Sequence, residues 1–311
     1  MKICLHIGYP KTGSTFLQFS FFNKLSQNFI GRPYGLKDYY IEKLLSNSNN
    51  KNFQKYKKKI INHYLSKLEK NKINILSVED FLKFSFFTKK SQNNPHQNIK
   101  RLKEVFSKIG SVKIIFVIRS HKNILRSFYD EYYLNDWKNN NIKHNDIIDY
   151  FKKKRIKRLD NLFLTFKFYK TYNLLKKNFG QNNVKLLFYE DLKYNFKNFN
   201  LDILNFLKIN FDLKIENKKF NSSLDKNSYL TIFKRIKKRI TLKNVNIFEF
   251  KNNFCSVINA FTEIYQRKKI NEYINDLDLI EKELKLYYQK DLLKFKSKLI
   301  RYKFKKYNYF N

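Results

Sequence analysis

Apolar runs alternate with amphipathic stretches through the first two thirds of the chain. Four runs rich in β-branched residues predict strands, and they cover residues 2–7, 73–78, 112–118 and 184–189. The third run, "VKIIFVI", is unbroken, as expected of a strand that is covered on both faces. Helical periodicity fills the segments between the strands, at 13–25, about 51–70, 97–108, 121–137 and 146–179.

This alternation predicts an α/β fold with a mainly parallel central sheet flanked by helices. Beyond about residue 210 the strand signal fades, and Lys-rich helical patterns follow at 225–243, 255–268 and 276–300. We therefore expect a core of residues 1–210 and a mainly helical C-terminal part, residues 211–311, packed on that core.

The formal net charge of +39 raises the question of an anionic partner. The abundance of Lys, Asn, Ile, Phe and Tyr is also typical of A+T-rich codon usage. Basic tracts occur at 151–159, 233–240 and 299–310, but zinc-ligand spacings and RNA-binding signatures are absent from the sequence. We expect no nucleic-acid partner, whereas the basic and aromatic tract at 299–310 leaves a peripheral contact with an anionic membrane open.

The cysteines and the hydropathy bear on the compartment. Cys4 and Cys255 stand far apart, which predicts neither a disulfide framework nor a zinc site. No run reaches the roughly 18 to 20 apolar residues of a membrane span, and the first predicted strand leaves no room for a targeting segment. We expect a cytoplasmic protein.

The loop after the first predicted strand carries the chemistry of anion binding. Gly8 and Gly13 have the spacing of a nucleotide P-loop, but Ser14 occupies the position of its lysine, and Lys11 stands in mid-loop instead. Backbone N–H groups at a helix N-terminus favour an anion, so the pattern predicts a phosphate-bearing ligand without a triphosphate or a metal. The alternative is an ordinary strand–turn–helix junction capped by Thr12 or Ser14.

A second feature follows the third predicted strand, where Arg119 ends the run and Ser127 lies eight residues later in a helix. An arginine fork matches a phosphate. Together, "PKTGSTFLQ" and this Arg–Ser pair resemble the donor-binding signatures of the sulfotransferases, which use 3′-phosphoadenosine 5′-phosphosulfate (PAPS). The resemblance covers roughly residues 1–210 and implies the P-loop-like fold of that family.

The resemblance also implies roles for individual residues. The 5′-phosphate side of the donor is expected to bind Lys11, Thr12, Gly13, Ser14 and Thr15, and its 3′-phosphate is expected to bind Arg119 and Ser127. Lys11 would meet the oxygen that carries the growing charge, in place of a metal. The family's glycine-rich 3′-phosphate segment near the C-terminus is not visible in this sequence.

The sequence offers two candidates for the general base, Glu79 and His96. Glu79, in "ILSVEDF", follows the second predicted strand at the edge where ligands bind, and sulfotransferases that act on sugars use a glutamate in this part of the fold. We therefore expect Glu79 to accept the proton of a carbohydrate or glycolipid hydroxyl. The alternatives are a helix-capping role for Glu79 or Asp80, and His96 as the base.

Weaker features and a rival class remain. "YEDL" at 189–192 is expected to be structural, and Asn221, Ser222 and Ser223 are possible ligand contacts. A P-loop kinase fits the two loop glycines but fails at Ser14.

Overall fold

The structure is a computed structural model that describes residues 1–9, 11–31, 50–78, 82, 95–132, 163–210 and 281–309. Its centre is a five-stranded sheet with the order β2-β3-β1-β4-β5, in which every pair of neighbours is parallel. The strands are β1 (Lys2–Gly8), β2 (Asn28–Phe29), β3 (Ile73–Ser77), β4 (Ser111–Ile118) and β5 (Val184–Phe188). The predicted α/β fold class is confirmed, and the four predicted strands are present. The two-residue edge strand β2 was not predicted, because so short a segment carries no periodicity.

Helices flank this sheet. They are α1 (Ser14–Phe16), α2 (Asn50–Leu65), α3 (Pro95–Phe106), α4 (His121–Tyr132), α5 (Phe168–Phe179), α6 (Tyr189–Tyr194), α7 (Phe196–Leu207), α8 (Glu281–Leu292) and α9 (Lys298–Lys306). Helix α1 continues into a π-helical turn over Leu17–Phe21 and a 3₁₀ turn over Phe22–Lys24. The described residues belong to one compact unit, which combines Met1–Asn217 with Ile280–Asn311.

One hydrophobic cluster lies between the sheet and the helices that cover one face. Cys4, Ile75, Ile115 and Val117 contribute from the strands. Six apolar side chains of the α1 region and α7 meet them: Phe16, Leu17, Phe21, Phe22, Ile203 and Leu204. Each fully buried aliphatic or aromatic side chain contributes about 1.5–3 kcal/mol, so this cluster anchors the segment that follows the first loop.

The strand register brings the ends of β1, β4 and β5 to one edge of the sheet. Gly8 of β1 is opposite Val117 of β4, and Ile118 of β4 is opposite Phe188 of β5. Arg119 therefore lies beside the start of the loop on one side and beside Tyr189 on the other. Parallel strands end at a common edge, which is where ligands bind in such sheets.

The predicted helix over 146–179 is wrong in part, because the chain leaves the helical conformation at Lys167 (φ −75°, ψ 88°) before α5 begins. The carbonyl oxygens of the preceding turn bind side chains from other parts of the fold: Tyr288 donates to Phe163, Tyr9 donates to Thr165, and His121 Nε2 contacts Phe166. The Asp291 carboxylate accepts the first N–H groups of α5, from Tyr169 and Lys170. These long-range bonds replace the intrahelical bonds that a continuous helix would make.

The predicted helix over 276–300 is also interrupted. Helix α8 ends at Leu292, and α9 starts after Ser297, whose hydroxyl accepts the N–H of Ile300. The Arg301 side chain donates to the carbonyl oxygens of Leu293 and Phe295 and so satisfies the turn between the helices. The predicted helices 225–243 and 255–268 lie outside the described residues, and the domain boundary near residue 210 stays a prediction.

Candidate donor-binding site

The loop after β1 is held in its turn by its own residues. Lys11 and Gly13 both have left-handed backbones, with φ 70° and φ 88°. The Thr12 side chain is buried, and its hydroxyl donates to the Tyr9 carbonyl over 2.6 Å. A Cβ on Gly8 would come within 2.9 Å of the Thr12 oxygen. The sequence of the loop therefore dictates a tight turn, and the left-handed conformation of Lys11 costs about 1 kcal/mol or more that the surroundings must offset.

Gly13 allows the loop to pack directly on α6. A Cβ at this position would lie 2.7 Å from Leu192 Cδ2 and 3.2 Å from Tyr189 Cδ2. The positive φ adds a second reason for glycine, since other residues rarely adopt it. Ser14 and Thr15 then begin α1, and the N–H of Leu17 bonds to the Gly13 carbonyl. The dipole of a helix favours an anion at its N-terminus, which is the end that this loop forms.

Arg119 joins the loop to α4. Its Nη1 donates to the Lys11 carbonyl and to the Ser127 hydroxyl, each over 2.9 Å. Its guanidinium also lies over the Tyr189 ring, 4.5 Å from the centroid. The structure thus brings Lys11, Arg119 and Ser127 together at this edge of the sheet.

The charge of Arg119 is held in a poorly solvated environment. Burial lowers its pKa from the ordinary value, while Tyr189 and Glu190 raise it. An arginine stays protonated over the working pH range. Its Nε is buried and has no hydrogen-bond partner within the described part of the chain. An unsatisfied donor on a desolvated cation is what an incoming phosphate oxygen would satisfy.

Glu190, in the "YEDL" segment that is expected to be structural, contacts the backbone next to Arg119. Its carboxylate is 5% exposed, accepts the N–H of Ser120 over 2.9 Å, and accepts the Tyr309 hydroxyl over 3.1 Å. Burial raises its pKa, and the neighbouring Arg119 opposes that rise. The available sequence signal was the acidic pair directly after a strand, because carboxylates there reach the common edge of the sheet.

Beneath the loop lies a second polar group, centred on Ser77 at the end of β3. His6 Nδ1 is 2.6 Å from the Ser77 hydroxyl, and Gln18 donates to both the hydroxyl and the carbonyl oxygen of Ser77. Burial lowers the pKa of His6 to about 3, so the imidazole is neutral. This group ties β1, β3 and the helical segment after the loop together.

Of the two candidates for the general base, the structure describes only His96. Glu79 lies outside the described residues, but it directly follows Val78, which is buried and donates its N–H to the His6 carbonyl. His96 lies in the first turn of α3, and burial together with Lys170 and Lys100 lowers its pKa. Asn221, Ser222 and Ser223 also lie outside the described residues.

The family model for the sulfotransferase domain matches residues 4–296 of the chain. The chain belongs to the sulfotransferase family. A search of the curated proteins finds no match. The match spans nearly the whole length of this sulfotransferase, including the loop after β1 and the Arg119–Ser127 pair.

Three solved structures are similar to this sulfotransferase. A sulfotransferase from Alicyclobacillus acidocaldarius has a TM-score of 0.45 at 11% identity, covering 76% of this chain and 90% of that one. Mouse sulfotransferase SULT7A1 complexed with PAP has a TM-score of 0.39 at 18% identity, covering 68% of this chain and 60% of that one. The sulfotransferase domain from the curacin biosynthetic pathway has a TM-score of 0.40 at 12% identity, covering 68% of this chain and 75% of that one. The family assignment depends on the sequence match alone.

Two features are absent among the residues that the structure describes. Within them, no group of three or more His, Cys, Asp or Glu side chains is arranged to hold a metal ion. No helix among the same residues has the length and apolarity needed to cross a membrane.

Proposed function

We propose that this sulfotransferase moves the sulfuryl group of PAPS to a hydroxyl of a carbohydrate or glycolipid. The observation that carries the donor assignment is the bond from Arg119 to the Lys11 carbonyl, since it joins the two signatures at one edge of the sheet. A donor phosphorylated at both ends of its ribose presents two anions, and this edge offers a helix N-terminus for one and a desolvated arginine for the other.

The loop and Arg119 divide the work of donor binding. The N–H groups of Gly13, Ser14 and Thr15 face the 5′-phosphate, while Thr12 contributes its backbone because its hydroxyl already donates to Tyr9. Arg119 and Ser127 bind the 3′-phosphate. The buried Nε of Arg119 has the capacity for a further bond to it.

Lys11 and Glu79 perform the transfer. The acceptor oxygen forms a bond to sulfur as the bond from sulfur to the 5′-phosphate oxygen breaks. Lys11 stabilises the negative charge that develops on that departing oxygen, and Glu79 takes the acceptor's proton. Such positioning and electrostatic stabilisation supply most of the acceleration in transfers of this kind.

Incubation with radiolabelled PAPS and an extract of the native cell tests this function. We expect label in a glycan or glycolipid fraction, and Glu79→Gln should abolish transfer while keeping affinity for adenosine 3′,5′-bisphosphate (PAP). Label in another product class would remove the carbohydrate assignment. Normal activity of the variant would move the base to His96, and His96→Gln is the matched variant.

A thermal-shift experiment separates this function from that of a P-loop kinase. PAP should raise the melting temperature with EDTA present, because a ligand that binds only the folded state stabilises it. Stabilisation by Mg-ATP and not by PAP would favour the kinase.

We also propose a peripheral contact between the C-terminal basic tract and an anionic membrane. In α9 the exposed side chains include Leu299 (65%) and Tyr302 (60%), beside exposed Lys298, Arg301 and Lys305. Apolar groups among cations suit a negatively charged lipid surface. Sedimentation with phosphatidylserine vesicles tests this, and a lack of binding at low salt would contradict it.

A further inference from the structure

The donor-binding edge is connected to the last residues of the chain through α6. Asp191 accepts hydrogen bonds from Lys303 over 2.6 Å and from the Tyr307 hydroxyl. Asp191 is only 4% exposed, so these bonds are shielded from solvent and hold α9 and the residues after it against α6. The residues after α9 therefore lie next to Glu190, the residue that precedes Asp191 in α6.

Tyr309 completes this connection. Its ring is 2% exposed and packs against Phe304 at 5.0 Å and Phe188 at 5.8 Å between centroids. Its hydroxyl donates to Glu190 Oε2. Buried hydroxyls need a partner, and here that partner is the carboxylate that also accepts the Ser120 N–H.

Glu190 transmits the contact to the arginine. Its other oxygen accepts the N–H of Ser120, which belongs to the peptide bond between Arg119 and Ser120. Tyr189, which precedes Glu190 in α6, contacts the Arg119 guanidinium with its ring. The backbone and the side chain of Arg119 are therefore both fixed by α6, and α6 is fixed by the chain end.

We propose that Glu190 and Tyr309 are positioning residues that hold Arg119 for the 3′-phosphate of the donor, so that the C-terminal end of the chain sets donor affinity. This inference rests on the proposed use of Arg119 in donor binding. A part of the chain that is remote in sequence from both signatures thus supports Arg119 through Glu190.

The test compares two tyrosine variants of the full chain. Tyr309→Phe removes the hydroxyl bound to Glu190 and keeps the ring packing. Tyr307→Phe removes a hydroxyl bound to Asp191 but leaves the Lys303–Asp191 ion pair, which still holds α9 against α6, and so serves as the matched control. Calorimetry measures the affinity for PAP and for AMP, which lacks the 3′-phosphate. Hydrogen exchange of the Ser120 amide, without ligand, is the second measurement.

For Tyr309→Phe we expect PAP affinity to fall about 3- to 10-fold, the cost of one lost hydrogen bond. AMP affinity should stay unchanged, and the Ser120 amide should exchange faster. Equal losses for PAP and AMP, no loss at all, or the same loss in Tyr307→Phe would each overturn the proposal. A wild type that binds PAP no more tightly than AMP would contradict the proposed function. The positioning role is tested separately, because an unchanged exchange rate of the Ser120 amide in Tyr309→Phe would contradict it whatever the ligand affinities are.

Discussion

The two ends of the candidate donor-binding site are built in different ways. The loop end is local: Gly8, Lys11, Thr12 and Gly13 form it within a few residues, and the Thr12–Tyr9 bond closes it. The Arg119 end is assembled from distant segments, since Ser127, Tyr189 and Glu190 support it and Tyr309 supports Glu190. A local site is encoded by a short motif, whereas an assembled site depends on the packing of the whole unit.

The difference has a consequence for the chemistry. Backbone N–H groups of a tight turn are fixed by sequence, so the loop end is preorganised whenever the turn forms. The Arg119 end depends on one flexible side chain, which is fixed by contacts made on both sides. The bond from Arg119 to the Lys11 carbonyl is the point where the two ends meet.

The largest effect should come from Lys11. We expect Lys11→Ala to lower kcat by about 10²- to 10³-fold, as the loss of one preorganised charge-stabilising group does, while PAP affinity changes little. Steady-state kinetics and calorimetry measure the two quantities. The matched control is Lys11→Gly, which lacks the amine but accepts the left-handed backbone at φ 70°. If Gly restored kcat, backbone strain and not the missing amine would explain the loss in Ala.

Removing Arg119 should act on donor affinity. We expect Arg119→Ala to weaken PAP binding by about 10- to 100-fold, the range for hydrogen bonds to a charged group, with a smaller effect on AMP. Ser127→Ala removes only the hydroxyl partner of Arg119 and should cost less. Calorimetry with both ligands measures these changes.

The ratio of PAP to AMP affinity is the decisive quantity in this second comparison. An unchanged ratio in Arg119→Ala would contradict the assignment of Arg119 to the 3′-phosphate. If Arg119→Ala also lowered kcat at saturating donor, the bond from Arg119 to the Lys11 carbonyl would contribute to the transfer step as well as to donor binding.

Sequence reasoning reached the two ends unequally for the same physical reason. The loop and the strand-end arginine follow from short motifs and from an unbroken apolar strand, because the relevant bonds join neighbours in sequence. Glu190 was expected to be only structural, and Tyr309 was not singled out, because their bonds span 70 and 119 positions.

The interrupted helices teach the same lesson. Periodicity over 146–179 is helical throughout, yet Tyr9, His121 and Tyr288 bind the carbonyl oxygens near its break. Partners from remote segments cannot be read from local periodicity, and tertiary contacts override local preference. The same limit applies to the short strand β2, whose pairing with β3 forms at the sheet edge.

The last comparison concerns stability against acid, to which each end contributes one histidine. Burial lowers the pKa of His6, beneath the loop, and of His121, beside Arg119, to about 3 from 6.5. A base with a lowered folded-state pKa binds its proton more readily when unfolded. The stabilisation is therefore complete above pH 6.5 and is lost as pH falls from 6.5 toward 3, by about 1.4 kcal/mol per pH unit for each histidine.

His121→Phe separates the two contributions. His121 is stacked between Tyr288 at 3.8 Å and Phe168 at 4.3 Å, so a phenyl ring preserves the stacking. The Phe166 carbonyl loses its partner, which costs about 1–3 kcal/mol at neutral pH. Between pH 6.5 and 4.5 the variant should lose stability less steeply than the wild type, because His121 no longer takes up a proton on unfolding, whereas His6 and His96 still do. Denaturant unfolding across this pH range measures the slope.

The matched control for this slope is Phe168→Leu, which weakens the same stack but keeps the imidazole. It should lower stability at every pH by a similar amount and retain the wild-type slope. The raised pKa values of Glu190 and Asp291 act in the opposite sense, because the folded state holds their protons more tightly, so they flatten the curve in all three proteins at the acid end. Identical slopes in His121→Phe and the wild type would mean that His121 is protonated in the fold, and the Arg119 end would then be less tightly packed than the loop end.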